Sequence, residues 1–396
     1  MPPYTHFRML AYEVPTLAWN PDWNCLVSAW DPGVRSPKVP GIPVPEPAPV
    51  PPKETPGGYL SDSEVGLPED AYIRLLRLAN VVELTRQHLV GKPAGVLNVF
   101  VVPEFYFRPP QKGRTLYRSD TYPFNSVNPI YQALGSMFSG PAFTDWLFVC
   151  GTVLYNNDLA SHAPLPGTDG TPLAQVSFFN NAVVAVGGVR DTPFLVEKRV
   201  PSHIDGVPEV VYEGGKALPA GPGNNPALKP FYDDWKTRKN HIIRTHGVTV
   251  GVEVCLDHAI THAVLREIVH DWAREELVPQ AHGGVQLHVL TAGGMHIVPE
   301  SIAARTNGYI LRNDGGDDRP DKASELRRIT RWLDLFGHEE TGPTPGGHVA
   351  AGDDIDATEF IPITQAGRPT IWRPVPHPLQ AFVSDQRVAV YPDKPL

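Results

Sequence analysis

The sequence of 396 residues has few cysteines, no excess of basic residues and no long apolar run. Its three cysteines, Cys25, Cys150 and Cys255, are far apart and odd in number, which excludes a disulfide framework and favours a reducing compartment. The formal net charge of -9 excludes the basic surface of a general nucleic-acid binder or anionic-membrane binder. No stretch approaches the roughly 20 apolar residues of a membrane-spanning helix, and the N-terminus lacks a signal-peptide pattern. We therefore expect a cytoplasmic protein with no nucleic-acid partner and no membrane partner.

Motifs of several common enzyme classes are also missing. The chain contains no G-x-S-x-G, no H-E-x-x-H and no G-x-G-x-x-G after a strand, so serine hydrolase, zinc protease and dinucleotide-binding functions have no local support. His258 and His262 lie four residues apart, beside Asp257, and would share a helical face, but no third ligand motif accompanies them. We therefore predict no metal site.

Proline is abundant, with 44 residues, and its distribution divides the chain. The segment 37–56 is proline-dense and favours extended backbone, which predicts a surface excursion, with a docking element as the alternative. We predict an N-terminal strand and this excursion in 1–66 and a catalytic core in 67–340, with the first strand of the core drawn from 1–30. The remaining 341–396 is predicted to be a turn-rich tail that makes oligomer contacts.

Hydrophobic periodicity predicts alternating strands and helices. Runs of apolar or alternating residues are typical of strands, and apolar residues at three- and four-residue spacing are typical of helices. Strands are predicted at 95–107, 146–155, 176–189, 193–200, 248–254, 285–292 and 309–312. Helices are predicted at 72–89, 127–138, 259–277 and 324–336. This alternation predicts an α/β fold with Cys150 as a structural core residue.

Three chemically active side chains stand at predicted strand ends. Glu104 follows Pro103, which stops a buried strand, and Lys198 lies near the end of the second strand of a predicted hairpin. Cys255 ends another strand just before a predicted helix, where backbone N–H groups favour a thiolate. Period-2 alternation places Glu253 on the same face as Cys255, where its carboxylate would touch the pocket or pair with a surface arginine.

Each of these residues also has an ordinary structural interpretation. Alone, Glu104 fits a strand-end cap or ion pair, Lys198 a solvated charge, and Cys255 a small buried apolar residue. Together they fit covalent catalysis. A thiol nucleophile needs a base that removes its proton, and it needs positive charge or N–H donors where an oxyanion develops. A glutamate and a lysine supply both.

Three ordered motifs carry a family resemblance. V-F-V-V-P-E-F, F-L-V-E-K-R-V-P-S-H and V-G-V-E-V-C-L-D resemble the Glu-Lys-Cys signature of the nitrilase, or carbon-nitrogen hydrolase, superfamily. S-F-F-N-N-A-V-V-A resembles the family's strand with an asparagine before an apolar run, and S-I-A-A-R-T-N-G-Y-I-L-R-N resembles, more loosely, its late Arg-Ala-x-Glu-Asn segment. The resemblance spans residues 68–314 in family order.

The chain departs from the family pattern at several positions. Leu256 follows the cysteine where an aromatic residue is frequent, H-A-I-T-H replaces the usual continuation, and Thr306 stands where an acid is common. The opening strand also lacks a family-type start. These departures bear on the substrate and the subfamily rather than on the nucleophile.

The resemblance implies a four-layer α-β-β-α sandwich, here with a proline-rich N-terminal excursion and an extended C-terminal tail, assembled as a homo-oligomer. It implies that Glu104 is the base, that Cys255 is the nucleophile and that no cofactor is required. Lys198 and the backbone N–H of Leu256 would then stabilise the developing negative charge.

Two further parts of the site are left open. Many family members carry a second glutamate after the lysine, and both Glu209 and Glu213 are available, with Glu209 preferred. Phe105, Tyr106 and Phe107 follow the predicted base and fit either an apolar pocket or the core. Among them we single out Phe105 as the pocket candidate.

The sequence therefore predicts a thiol hydrolase that cleaves a non-peptide carbon-nitrogen bond. Its substrate would be a small amide, carbamoyl compound or nitrile, and its products an acid and ammonia or an amine. The same thioester intermediate permits an amine N-acyltransferase as an alternative. A catalytically degenerate binding or scaffold protein on the same fold is the other alternative.

Overall fold

The structure, a computed structural model, describes thirteen stretches of the chain. They are residues 4–20, 25–28, 67–109, 121–158, 176–190, 192–200, 210–213, 216–219, 240–245, 247–275, 283–316, 323–363 and 386–396. The proline-rich segment 37–56 lies outside the described residues, so its predicted excursion stays a prediction. None of the described helices is long and apolar enough to cross a membrane.

The described helices are few and the strands are many. The helices are α1 (Glu69–His88), α2 (Phe124–Met137) and α3 (Val264–Glu275). The strands of the first half are β1 (His6–Glu13), β2 (Leu17–Asn20), β3 (Cys25–Ser28), β4 (Val96–Val102), β5 (Tyr122–Pro123), β6 (Trp146–Asp158), β7 (Val176–Val186), β8 (Phe194–Glu197), β9 (Val210–Glu213) and β10 (Lys216–Pro219). Those of the second half are β11 (Ile242–Thr245), β12 (Val248–Val254), β13 (Val285–Ala292), β14 (Ala304–Asp314), β15 (Ser324–Leu333), β16 (Glu339–Glu340), β17 (His348–Ile355), β18 (Glu359–Pro362), β19 (Arg387–Val390) and β20 (Lys394–Pro395).

Two mixed sheets form the centre of the fold. In the first sheet the strand order is β18-β19-β1-β4-β6-β7-β8, with β1, β4 and β6 parallel and β6, β7 and β8 antiparallel. In the second sheet the order is β11-β12-β13-β14-β15-β16, with β12, β13 and β14 parallel, and β17 pairs with β15. The predicted mixed α/β architecture is confirmed, as is the predicted hairpin of β7 and β8.

Apolar side chains on both faces of the first sheet explain how the elements pack. Met9 and Val99 point toward the second sheet and cluster with Val252. Leu10 and Phe100, which follow them, point the other way and cluster with residues of α1 and α2. This alternation follows from the period of a strand. On the second sheet, Leu265 of α3 packs in a separate cluster with Val285 of β13. Because both faces are buried, the strand ends are favourable places for exposed or catalytic polar groups.

The prediction of a helix over 324–336 is wrong, because this segment forms strand β15. Leu326, Ile329 and Trp332 are buried at a spacing of three, which is typical of a helix. Leu326 packs in the cluster between the two sheets, whereas Ile329 and Trp332 pack in a separate cluster, so the strand is buried on both faces. The register between β15 and β17 is irregular only between Ile329 and Trp332. Burial on both faces, together with this irregularity, therefore gives the strand a helix-like hydrophobic period.

The C-terminal segment also differs from the turn-rich tail that we predicted. Strand β17 pairs with β15 in the second sheet, and β19 pairs with β1 near the centre of the first sheet. The final residues of the chain pair with the start of β1 as β20. Segment 341–396 thus contributes strands to both sheets, and its oligomer contacts stay a prediction.

Candidate functional site

Two hydrogen bonds, one to the N–H and one to the carbonyl of Glu104, fix its backbone. Strand β4 ends just before Pro103, and the Glu104 N–H donates to the carbonyl of Ala292 at 3.3 Å. Its own carbonyl accepts a hydrogen bond from Thr16 Oγ1 at 2.6 Å. The next residue, Phe105, has a positive φ of 61° and donates its N–H to a threonine hydroxyl of β6. The chain therefore turns sharply at the strand end and directs a fully buried carboxylate inward.

A buried ion pair joins two predicted site residues. Lys198 Nζ lies 2.9 Å from Glu104 Oε1, and the two side chains are 2% and 0% exposed. The side-chain Nδ2 of Asn180, on β7, donates to the same carboxylate oxygen at 2.7 Å. The backbone carbonyl of Asn180 accepts the backbone N–H of Lys198 at 3.0 Å. Because desolvation offsets the attraction within a buried pair, such a pair is weak evidence for stability and a better indicator of a functional site.

Cys255 opens a turn of 3-10 helix, Cys255–His258, which follows β12 directly. Its φ of 45° is left-handed, which is uncommon for a residue that is not glycine. Helix α3 begins only at Val264, after a second left-handed residue, Ala263. The helix predicted over 259–277 therefore begins five residues later than predicted, and its N-terminus does not adjoin Cys255. The side chain is 7% exposed and belongs to the apolar cluster between the two sheets.

Asp257 connects the cysteine segment to the lysine segment. Its buried carboxylate accepts hydrogen bonds from the backbone N–H groups of Arg199, at 3.0 Å, and Val200, at 2.7 Å. Burial raises the pKa of Asp257 to about 8, against the opposing effect of these donors and of the Lys198 charge. The backbone of Arg199, next to Lys198, is thereby hydrogen-bonded to Asp257, which lies two residues after Cys255.

The aromatic residues after Glu104 divide between the site and the core. Tyr106 and Phe107 belong to the large cluster under α1 and α2. The Phe105 ring instead lies 5.7 Å from Lys198 Nζ, in a small cluster with Leu17. A Cβ atom on Gly293 would come within 3.0 Å of both the Phe105 ring and the Glu104 carboxylate. Phe105 therefore forms one wall beside the ion pair.

The two open candidates for a second acid have different outcomes. Glu209 lies outside the described residues, so its role stays a prediction. Glu213 ends strand β9, which pairs with β10 in a separate two-stranded sheet.

Leu256, whose backbone N–H is the predicted oxyanion donor, is partly buried within the turn that begins at Cys255.

Glu253 does not lie on the same face as Cys255. Its fully buried carboxylate accepts hydrogen bonds from His258 Nδ1 at 2.5 Å and His288 Nε2 at 2.6 Å, through one oxygen. Burial alone would raise the pKa of Glu253, but the two histidines outweigh it and leave this pKa well below its usual range. The prediction that Glu253 shares a face with the cysteine is wrong, because the strand geometry ends at Val254. His258 pairs within this histidine cluster (Glu253, His258, His288), not with His262.

The histidine cluster has three potential metal ligands, but its proton positions do not suit a metal. The outer nitrogens accept backbone hydrogen bonds: His258 Nε2 from Val298 at 2.9 Å, and His288 Nδ1 from Ala303 at 3.1 Å. A neutral imidazole has one lone pair, so the nitrogens that face Glu253 must carry the protons. Burial also lowers the pKa of His288, which favours this neutral form. The cluster is therefore a hydrogen-bonded carboxylate rather than a metal centre.

A buried histidine near this region makes stability depend on pH. Burial and the charge of Arg199 lower the pKa of His241 to about 3, while an unfolded histidine titrates near 6.5. Between these values the unfolded chain binds the proton and the native chain does not, so unfolding becomes easier as pH falls. We expect His241→Leu to reduce the slope of unfolding free energy against pH by up to about 1.4 kcal/mol per unit between pH 3 and 6.5.

Urea unfolding followed at a series of pH values measures this slope. Above about pH 7.5 neither the native nor the unfolded chain binds a proton at this histidine. The unfolding free energies of wild type and His241→Leu should therefore differ by a constant there. Identical slopes for the two proteins in the acid range would contradict a neutral buried His241.

Several site residues were not assigned a role from sequence. Asn180 falls in a segment that carries only the family resemblance, and His288 lies between Leu287 and Val289 in the predicted strand 285–292. A polar residue in the middle of a buried strand was the available signal for both, because a buried polar group needs a partner. Which partner it finds depends on strands distant in sequence.

No protein family and no curated protein matches the chain. Among solved structures, a double mutant of the amidase from Nesterenkonia sp. AN1 in complex with acrylamide aligns with 90% of this chain and 92% of that chain, at 11% identity and a TM-score of 0.32. A mutant of the same amidase, with the acetamide moiety of fluoroacetamide added covalently at its active-site cysteine, aligns with 89% and 92%, at 10% identity and a TM-score of 0.30.

Proposed function

We propose that the protein is a thiol hydrolase that cleaves a non-peptide carbon-nitrogen bond in a small amide, carbamoyl compound or nitrile. The observation that carries the proposal is the buried pair of Glu104 and Lys198, which supplies a base and a fixed positive charge at one strand end. Cys255, held in a strained turn, would supply the nucleophile. The packing of α1 and α2 on the first sheet, and of α3 on the second, supports the four-layer α-β-β-α arrangement that the resemblance implies.

In the proposed acylation of an amide, Glu104 takes the proton from the Cys255 thiol, and the sulfur forms a bond to the substrate carbonyl carbon. The carbonyl oxygen becomes an oxyanion, which Lys198 and the backbone N–H of Leu256 stabilise. The carbon-nitrogen bond then breaks while Glu104 returns its proton to the leaving nitrogen. Ammonia or an amine departs, and a thioester remains on the enzyme.

Water completes the proposed cycle. Glu104, again a carboxylate, takes a proton from water, whose oxygen attacks the thioester carbon. The carbon-sulfur bond breaks, the proton returns to Cys255 and the acid is released. Asn180 would hold the glutamate through its hydrogen bond to Oε1 during both steps, and Phe105 would line the pocket beside the lysine.

The proposal can be tested by intact mass and ammonia release. Wild type is exposed to a panel of small amides, carbamoyl compounds and nitriles, and we expect an acyl adduct on Cys255 together with ammonia or amine. The matched control is Cys255→Ala, which should form neither. An adduct with faster transfer to added amines than to water would indicate the acyltransferase. No adduct and no ammonia across the panel would contradict the hydrolase and favour the scaffold protein.

Asn180 offers a smaller and more specific test. Asn180→Ala should lower kcat/KM by about 10- to 100-fold, because a hydrogen bond to a charged group contributes roughly 1.5–3 kcal/mol. Steady-state kinetics on any substrate found in the panel measures the loss. The control is Asn181→Ala, whose amide donates to the Tyr155 hydroxyl at 3.2 Å and not to Glu104. Equal losses in the two variants would contradict a role for Asn180 at the base.

A further inference from the structure

The backbone at Cys255 requires a restraint. A φ of 45° in a residue with a side chain is strained and costs on the order of 1–3 kcal/mol, so it persists only where its surroundings fix it. The turn Cys255–His258 has no side-chain cap hydrogen bond at its start. Something other than local capping must hold the cysteine in this conformation.

The histidine cluster spans this turn. Glu253 lies two residues before Cys255 and His258 three residues after it, and their 2.5 Å hydrogen bond joins the end of β12 to the end of the turn. Both side chains are fully buried, so water does not compete for the bond. This hydrogen bond thus closes the short loop of chain, Glu253 to His258, that contains Cys255.

Neighbouring elements fix the cluster in turn. The second oxygen of Glu253 accepts the backbone N–H of Leu265 at the start of α3, at 3.3 Å. Val298 and Ala303 donate their N–H groups to the outer nitrogens of His258 and His288. These backbone donors fix the tautomer of each histidine, and therefore which nitrogen donates to Glu253.

We propose that Glu253, His258 and His288 are positioning residues that hold Cys255 in its left-handed turn and so aim the thiol toward the Glu104–Lys198 pair. The proposal rests on the proposed function, since it assumes that Cys255 is the nucleophile. The hydrogen bonds of the cluster join its members to one another and to backbone N–H groups of neighbouring elements. Asp257, bonded to the backbone of Arg199 and Val200, fixes the same turn from the side of the lysine segment.

The fixed tautomers allow a crossed test with amide side chains. His258 donates from its δ nitrogen, which asparagine reproduces and glutamine does not, whereas His288 donates from its ε nitrogen, which glutamine reproduces and asparagine does not. We therefore expect His258→Asn and His288→Gln to retain function, and His258→Gln and His288→Asn to lose it. The mismatched variants should lose about 100-fold in kcat/KM, as for a misplacement of about 1 Å.

A second readout does not require turnover. The rate of Cys255 alkylation by iodoacetamide is measured against pH, with peptide mass mapping to identify the modified cysteine. Mismatched variants should move the midpoint toward about 8.5, the value of a free cysteine, while matched variants keep the wild-type midpoint. Cys150 serves as the internal control, because burial raises the pKa of its thiol well above the usual range and it is 1% exposed.

The outcomes distinguish a cluster that positions Cys255 from one that only stabilises the fold. The variants are compared at a temperature where circular dichroism shows all of them folded. If all four lose stability but share the wild-type alkylation profile and kcat/KM, the proposal is overturned. A crossed alkylation pattern in a protein that releases no ammonia from any substrate would support positioning and contradict the hydrolase. Wild-type alkylation with the midpoint of a free cysteine would contradict a positioned thiol.

Discussion

Glu104→Gln is expected to reduce turnover by about 10²- to 10⁴-fold and to destabilise the fold. Glutamine keeps the shape of the side chain but cannot take a proton, and loss of a general base costs about 10²- to 10⁴-fold in rate. It also leaves the Lys198 ammonium, 2% exposed, without its carboxylate partner. Breaking a buried pair in this way costs about 3–5 kcal/mol in unfolding free energy. Steady-state kinetics and urea unfolding measure the two effects separately.

The double variant Glu104→Gln/Lys198→Met separates catalysis from stability. Because it removes the uncompensated charge, we expect it to recover most of the lost unfolding free energy, as hydrophobic replacement of buried pairs often does. Activity should not return, since both the base and the positive charge are gone. A double variant as unstable as Glu104→Gln would indicate that the remaining contacts of the pair, such as the one with Asn180, carry its stability. Recovered activity would contradict the proposed roles.

Much of the fold could be predicted because buried strands have strong local signals. Strands β4, β6 and β13 and helix α2 lie within a few residues of their predicted bounds. The errors arise where tertiary pairing changes the local pattern. Burial on both faces gives β15 a helix-like hydrophobic period. Strands β17 and β19 have weak local patterns and are defined by their pairing with β15 and β1.

The candidate site could be predicted in part for a similar reason. Glu104 and Lys198 were found because acids and bases at strand ends are conspicuous, and the structure brings their side chains within 2.9 Å. The partners of Glu253 could not be found from sequence. Alternation predicts a side chain's face only while the strand lasts, and the left-handed Cys255 ends that alternation at Val254. His288 reaches Glu253 through parallel pairing of β12 with β13, which no local pattern encodes.

Alanine and glycine at position 255 should reduce activity alike but differ in stability. Cys255→Ala and Cys255→Gly both remove the thiol and should lower turnover by about 10⁴-fold or more, as deletion of a covalent nucleophile does in other enzymes. Glycine adopts a positive φ without steric cost, whereas alanine keeps the strain of 45°. We therefore expect Cys255→Gly to exceed Cys255→Ala in unfolding free energy by about 1 kcal/mol. Urea unfolding of the two variants measures the difference.

The control for this comparison is Cys150, which lies within strand β6. Cys150→Gly removes a buried side chain from a strand and should be less stable than Cys150→Ala, the reverse order. If Cys255→Gly were also the less stable of its pair, the left-handed turn would not be strained in solution. If it is the more stable, a side chain at position 255 carries a conformational cost, and the chain keeps a cysteine there in spite of that cost.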